Sequence, residues 1–396
     1  MSRFLTATVV GLLLAGTLAL GAMAADDWPF WQRWFARVPA ITGFGGNANA
    51  IPDLRSDFGG EAAPLTRRQP EPRLVAPLRQ ADAWMADRNS DAFLVWHDGA
   101  LVFEHYYRGD AATQRPAGAM AKSLVAIMVG RAIREGAIAG LDAPVADALP
   151  EWRNDERNRI RWRDLLAMHA GLAWYRQETS PFSDFQRIII GSDYQPRALA
   201  LPAVAPPGEV FDYSAWTYDI AGLALARAGN APYEDLVDRW LTPPLGLGPM
   251  RIYVDRDGGN VHANCCLYGR ADDWVRLGAL IADEWVAPRL LPDGFVAEMR
   301  KPGPDRANYG LGIWLGSPYE ARRPIASTRN PYPTPVKSVI EQSEPFAADD
   351  VMIFEGVGQT KTWIIPSRRL VIVRFGSAPQ DWDDAMVPNL LIRALQ

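Results

Sequence analysis

Ala117-Gly118-Ala119-Met120-Ala121-Lys122-Ser123-Leu124 is the stretch from which the rest of the chain can be placed. Apolar residues recur after it at helical spacing, at Leu124, Ile127, Met128 and Ala132, and predict a helix from about Met120 to Glu135. Gly136 stands where such a helix is capped. Lys122 falls in the first turn, with Ala119 three residues before it. A serine three residues ahead of a lysine at a helix start shares one face with the amine. The lysine can then take the hydroxyl proton once burial and polar neighbours lower its pKa. Here Ala119 stands at that spacing from Lys122, and alanine has no oxygen to attack with. Ser123 does not replace it, because adjacent helical residues point about 100° apart. A structural role is expected for Ser123.

Working outward, the runs Ala92 to Trp96 and Leu101 to Tyr107 flank Asp98-Gly99, a strong hairpin signal. Residues 138–290 read as helical segments broken by Pro and Gly. At the far end, Thr362 to Ile365 and Leu370 to Phe375 are strand-like, joined through Pro366-Ser367-Arg368-Arg369, and a terminal helix follows from about Asp384 to Leu395. Strands at both ends with helices between predict an α/β (α+β) domain. One antiparallel sheet is built from both termini and flanked by helices, and a mainly helical lobe spans roughly 140–290.

The N-terminus reads as an export signal. Arg3 precedes an apolar run from Phe4 to about Leu20, and Ala22-Met23-Ala24 offers a cleavage site before Ala25. An uncleaved anchor is the alternative, since the run is nearly long enough to span a bilayer. Asp26-Asp27 directly behind it favours cleavage. The expected division is therefore a signal peptide at 1–24, an N-terminal extension and linker at 25–84, and a single large domain at 85–396. A periplasmic or secreted protein with no stable membrane span is the expectation. Within the extension, Trp28, Phe30, Trp31, Trp34 and Phe35 form an aromatic cluster that must pack on something, and Ile51 to Arg73 has linker composition.

Apolar residues make up 48% of the chain, enough for a sizeable core. Removing Arg3 with the signal leaves 40 basic residues against 46 acidic, a net charge of −6, with no basic tract, so nucleic acid is not an expected partner. Cys265 and Cys266 are adjacent and cannot staple distant segments. A vicinal disulfide and a pair of buried thiols are both open. The four histidines form no H-x-x-x-H or H-E-x-x-H pattern, and no G-x-S-x-G elbow occurs. Neither zinc hydrolysis nor a lipase-type site is supported.

Three segments carry a family resemblance. From Lys122 through Gly136 to Leu149-Pro150 the text resembles the segment after S-x-x-K in class C β-lactamase-like serine hydrolases. Pro206-Pro207-Gly208-Glu209-Val210-Phe211-Asp212-Tyr213-Ser214 resembles the P-P-G-x-x-F-x-Y-S segment that supplies their tyrosine. Phe354-Glu355-Gly356-Val357-Gly358-Gln359 resembles the G-x-G-Q strand region of the 6-aminohexanoate-oligomer hydrolase and esterase branch. Asn264 to Asp273 and Asn308 to Trp314 look like scaffold segments of the same branch. Ala215 departs from the asparagine of the strict family form, and Trp363 after Lys361-Thr362 departs from K-T-G. Both fit the esterase and amidase branches better than β-lactam hydrolysis, and Lys361 is read as structural.

The resemblance implies a β-lactamase/transpeptidase-like fold and hydrolysis of a small amide or ester through an acyl-enzyme, with no metal or cofactor. It places Ala119 at the nucleophile position, Lys122 and Tyr213 as proton carriers, and Gly356, Val357, Gly358 and Gln359 on the oxyanion and substrate strand. Trp174 and Tyr175, just after His169-Ala170-Gly171, are read either as a substrate loop over the cleft or as packing aromatics. With Ala119 in place the chain is expected to be inactive as written. The alternative is a natural pseudoenzyme, an exported ligand-binding protein that kept the cleft and lost the reaction.

Overall fold

The computed structural model describes residues 2–41, 54–173, 180–282, 290–324, 339–379 and 381–396. Its centre is a six-stranded antiparallel sheet drawn from both ends of the chain. The strands are β1 (Ser90–His97), β2 (Ala100–Tyr106), β3 (Trp314–Leu315), β4 (Met352–Gly356), β5 (Thr360–Ile365) and β6 (Leu370–Gly376). Their spatial order is β2-β1-β6-β5-β4-β3. The β1–β2 turn takes the form its sequence predicts. Asp98 (φ 48°) and Gly99 (φ 85°) are both left-handed, the conformation whose twist suits a two-residue hairpin. The long register Leu370↔His97 to Phe375↔Ala92 then joins the C-terminal half to the N-terminal half.

β5 and β6 are buried on both faces because helices cover the sheet on both sides. On one side α2 (Pro72–Ala86) presents the stripe Leu74, Leu78, Ala81 and Met85 and packs against α6 (Met386–Ala394). On the other, α5 (Ala271–Ala282) crosses so closely that a Cβ on Gly278 would lie 2.6 Å from a Val371 methyl. α3 (Ala121–Arg134) is the helix expected from the opening stretch. Every residue from Ala121 to Ala132 is buried, so α3 is a central helix with no solvent face. Gly136, at φ 76°, ends it as expected.

The helical lobe includes α4 (Ala215–Ala228) and several short helices between residues 162 and 245. A small four-stranded sheet (Arg55–Phe58, Met250–Tyr253, Leu267–Gly269, Arg115–Pro116) ties it to the domain.

The stretch that reads as an irregular extension is partly regular. Helix α1 (Ser2–Ile41), kinked at Asp27, buries Phe30 and Trp31 against Ile190, and Arg33 donates to the Ile190 and Gly191 carbonyls at 3.0 and 3.1 Å. The aromatic cluster thus finds its packing partner some 160 positions away in sequence, which no local pattern reveals. Among the described residues no helix is long and apolar enough to cross a membrane.

Candidate active site

A single turn of 3₁₀ helix, Gly118–Met120, leads into α3. Gly118 is left-handed (φ 56°), which swings the chain so that Ala119 stands partly exposed at the head of the helix. One turn on, Lys122 is buried (4% exposed), and its Nζ donates to the Asn264 carbonyl at 2.8 Å. The ammonium lies 5.3 Å from the Tyr213 ring centre and 5.9 Å from that of Tyr218. Burial lowers its pKa to about 8, against a smaller opposing pull from the Asp219 carboxylate. About a tenth of such an amine is neutral at pH 7, so it can accept a proton.

Tyr213 lies just before α4. Pro206-Pro207-Gly208 turns the chain, with Gly208 at φ 87°, and Gly208 N–H donates to the His169 carbonyl at 2.8 Å. The Asp305 carboxylate accepts from Phe211 N–H at 2.9 Å and lies 2.7 Å from His169 Nε2, pinning the approach to the tyrosine. Ser214 then caps α4, accepting from Trp216 N–H at 3.2 Å. The Tyr213 ring stacks on Trp314 (5.7 Å, 26°) and meets Tyr309 edge-on. Burial holds its phenol well above the ordinary range, so near neutral pH it is a proton donor.

The third wall is the end of β4. A Cβ on Gly356 would lie 2.2 Å from the Ala117 carbonyl oxygen, and one on Gly118 would lie 3.0 Å from Val357 N. Glycine at both positions brings the Val357 amide against the turn that carries Ala119. Backbone N–H groups so placed are the donors a developing oxyanion needs. Gly358 (φ 77°) and Gln359 (φ 61°) complete the turn into β5.

The residues singled out in sequence therefore fall as follows. Lys122, one helical turn after Ala119, lies 5.3 Å from the Tyr213 ring centre, and the Gly356–Val357 backbone packs against the Ala117–Gly118 turn. Trp174 and Tyr175 lie outside the described residues. Ser123 Oγ donates to the Gly312 carbonyl at 2.7 Å and is buried. Lys361 is fully buried behind the sheet, paired with Asp384 and, at 3.6 Å, with Glu355. Cys265 and Cys266 are joined as a vicinal disulfide directly after Asn264.

Sequence reasoning missed Asn264 and Asp219. Buried Asp219 accepts from Asn264 N–H at 3.0 Å and from its side-chain amide at 2.7 Å, and so fixes the carbonyl that holds Lys122. Only the placement of Asn264 in a segment already read as scaffold hinted at it.

A family model described as Beta-lactamase matches residues 73–395. Two curated Mycobacterium tuberculosis proteins, Rv1367c and the uncharacterized MT1414, are each 30% identical over 162 residues, 40% of this chain and 36% of theirs. The match thus spans about a third of the curated relatives' length. Among solved structures, a Bacillus anthracis protein provisionally assigned as a 6-aminohexanoate-dimer hydrolase superposes with a TM-score of 0.66 at 17% identity, over 86% of this chain and 90% of that one. EstCE1, a hydrolase with promiscuous acyltransferase activity, gives 0.60 at 16% over 82% and 98%. A penicillin-binding protein homolog from Caulobacter crescentus gives 0.59 at 16% over 85% and 100%. At these identities the likeness is one of fold.

Proposed function

Because this chain belongs to the beta-lactamase family, we propose that its cleft is an acyl-transfer site for small amides or esters, of the Ser-x-x-Lys plus Tyr kind, from which the attacking oxygen is missing. The observation that carries this reading is the surround of Ala119. A buried lysine with its pKa lowered to about 8 lies one helical turn after a residue with no functional group and 5.3 Å from the ring of a tyrosine held as a proton donor, and the Val357 amide packs against the same turn. In a complete site the lysine takes the hydroxyl proton as the oxygen attacks, the amides hold the oxyanion, and the tyrosine returns a proton to the leaving group. With alanine at 119 only binding remains. The hydrolase descriptions of the B. anthracis protein and EstCE1 support amide or ester substrates. Export, by a signal peptide at residues 1–24, belongs to the same reading.

The pseudoenzyme alternative shares the inert Ala119 and differs in what the cleft is for. Lys122 and Tyr213 with their supports favour the first reading, since a site kept for binding alone has no use for a proton-accepting amine. The test is Ala119→Ser, assayed on nitrophenyl esters, 6-aminohexanoate dimer and a chromogenic cephalosporin. Turnover should appear on esters or the amide and vanish with Lys122→Ala or Tyr213→Phe, whereas the parent chain should resist labelling by a fluorophosphonate. No turnover on any substrate overturns the hydrolase reading in favour of the binding protein.

A further inference from the structure

The turn Val357–Gln359 holds two successive left-handed residues, and Gln359, at φ 61°, is not a glycine. A side chain there disfavours the conformation, so something must hold it. The holder is on β6. Arg374 is fully buried, and its guanidinium reaches beneath the turn. Nη1 donates to the Gly358 and Gln359 carbonyls, both at 2.8 Å. Nη2 donates to the Arg88 carbonyl at 2.6 Å and the Ser377 carbonyl at 3.1 Å, and Nε to Ser90 Oγ at 3.0 Å. A guanidinium has five N–H donors in a rigid fork, and here all five are used on neutral oxygens. Ser90 begins β1, Arg88 lies two residues before it and Ser377 directly follows β6, so the turn is tied to the ends of two adjacent central strands. Below the turn, Gly356 pairs with Thr360 and closes its base.

We propose that Arg374 is the positioning residue of the oxyanion site: by gripping the Gly358 and Gln359 carbonyls it sets the turn that carries the Val357 amide against Ala119. This rests on the hydrolase reading above. It assigns to Arg374 an effect on the reacting state that is separable from its contribution to folding. A donor displaced from the oxyanion weakens the transition state more than the bound substrate, so the effect falls on kcat.

The experiment uses the full chain carrying Ala119→Ser, with kcat and KM measured for a nitrophenyl ester at a temperature where circular dichroism shows each variant folded. Adding Arg374→Met should lower kcat by about 10- to 100-fold, part of the loss that removal of a whole oxyanion donor brings, with KM changed by less than about threefold. Arg374→Lys, which keeps a cation able to reach a carbonyl, should recover several-fold of that kcat. If Arg374→Met does not fold, Arg374→Lys carries the test, and its kcat should lie below that of the parent at unchanged KM. Turnover by Ala119→Ser that survives these substitutions unchanged, or a loss that falls on KM alone, overturns this inference and leaves the hydrolase reading standing. Absence of turnover in Ala119→Ser itself overturns the hydrolase reading, and this inference with it.

Discussion

Replacing Lys122 by methionine keeps the length of the side chain and removes its charge, and the structure fixes how the consequence varies with pH. An ordinary lysine titrates at 10.5, and burial brings Lys122 to about 8. The folded state therefore holds its proton less tightly than the unfolded state. Between pH 8 and 10.5 the unfolded chain binds more protons, so stability rises with pH across that window. The penalty is complete below pH 8, where the amine is charged in both states, and is gone above 10.5. The difference of 2.5 units corresponds to about 3 kcal/mol at pH 7, falling to about 1.4 kcal/mol at pH 9.5. Because Lys122 is only 4% exposed, solvent screening does not discount this figure appreciably.

Lys122→Met removes that penalty but leaves the Asn264 carbonyl without its donor, a loss of about 1–3 kcal/mol. The net change at pH 7 is thus between neutral and mildly stabilising. The Asn264 loss is the same at every pH, so it cancels when the two conditions are compared. Urea unfolding of both proteins at pH 7 and pH 9.5 should show the variant losing about 2 kcal/mol of relative stability over that interval. A pH-independent difference would refute the reasoning, because it would mean that Lys122 titrates as an ordinary lysine and is not adapted to take a proton.

Gly356→Ala puts a methyl 2.2 Å from the Ala117 carbonyl oxygen, where backbone must move. Unfolding should show a loss of about 1–3 kcal/mol, and in the Ala119→Ser protein ester turnover should fall below detection. Behind the sheet, Lys361→Met leaves Asp384 and Glu355 sharing Arg323 as their remaining cation, and should destabilise by about 3–5 kcal/mol in thermal or urea melts. Methionine at 361 that leaves the melt unchanged would show the ion cluster to be dispensable.

What could be read from sequence was local. The Asp98-Gly99 hairpin and the apolar spacing of α3 are each specified by a few adjacent residues, and each formed as read. Lys122 was legible because it sits at a defined step from a helix start. Its partners were not. Asn264 meets it across 142 positions and contributes only a carbonyl, a group every residue has. Arg374 was hidden for a related reason, since arginine in a buried strand breaks the apolar pattern and the pattern does not say what it grips. The aromatic cluster at Trp28 to Phe35 announced that it must pack, but its target, Ile190, could come only from the fold.

The same distinction bears on Ala119. In the proposed hydrolase the costly parts of the site are present: a buried amine that weakens the fold at neutral pH, an Asp219–Asn264 pair taken out of water to hold it, and a left-handed turn gripped by a buried guanidinium. The missing part is the least demanding. Ala119 is partly exposed at a helix start, where serine is tolerated, and a hydroxyl adds one heavy atom. Ala119→Ser should therefore change stability by no more than about 1 kcal/mol, the ordinary size of a single-substitution effect. A larger loss would mean that the cleft has closed around the alanine, and that this wall of the site is no longer shaped for a nucleophile. A neutral substitution leaves the site one oxygen short of complete, and the turnover assay then decides whether the surrounding machinery still works.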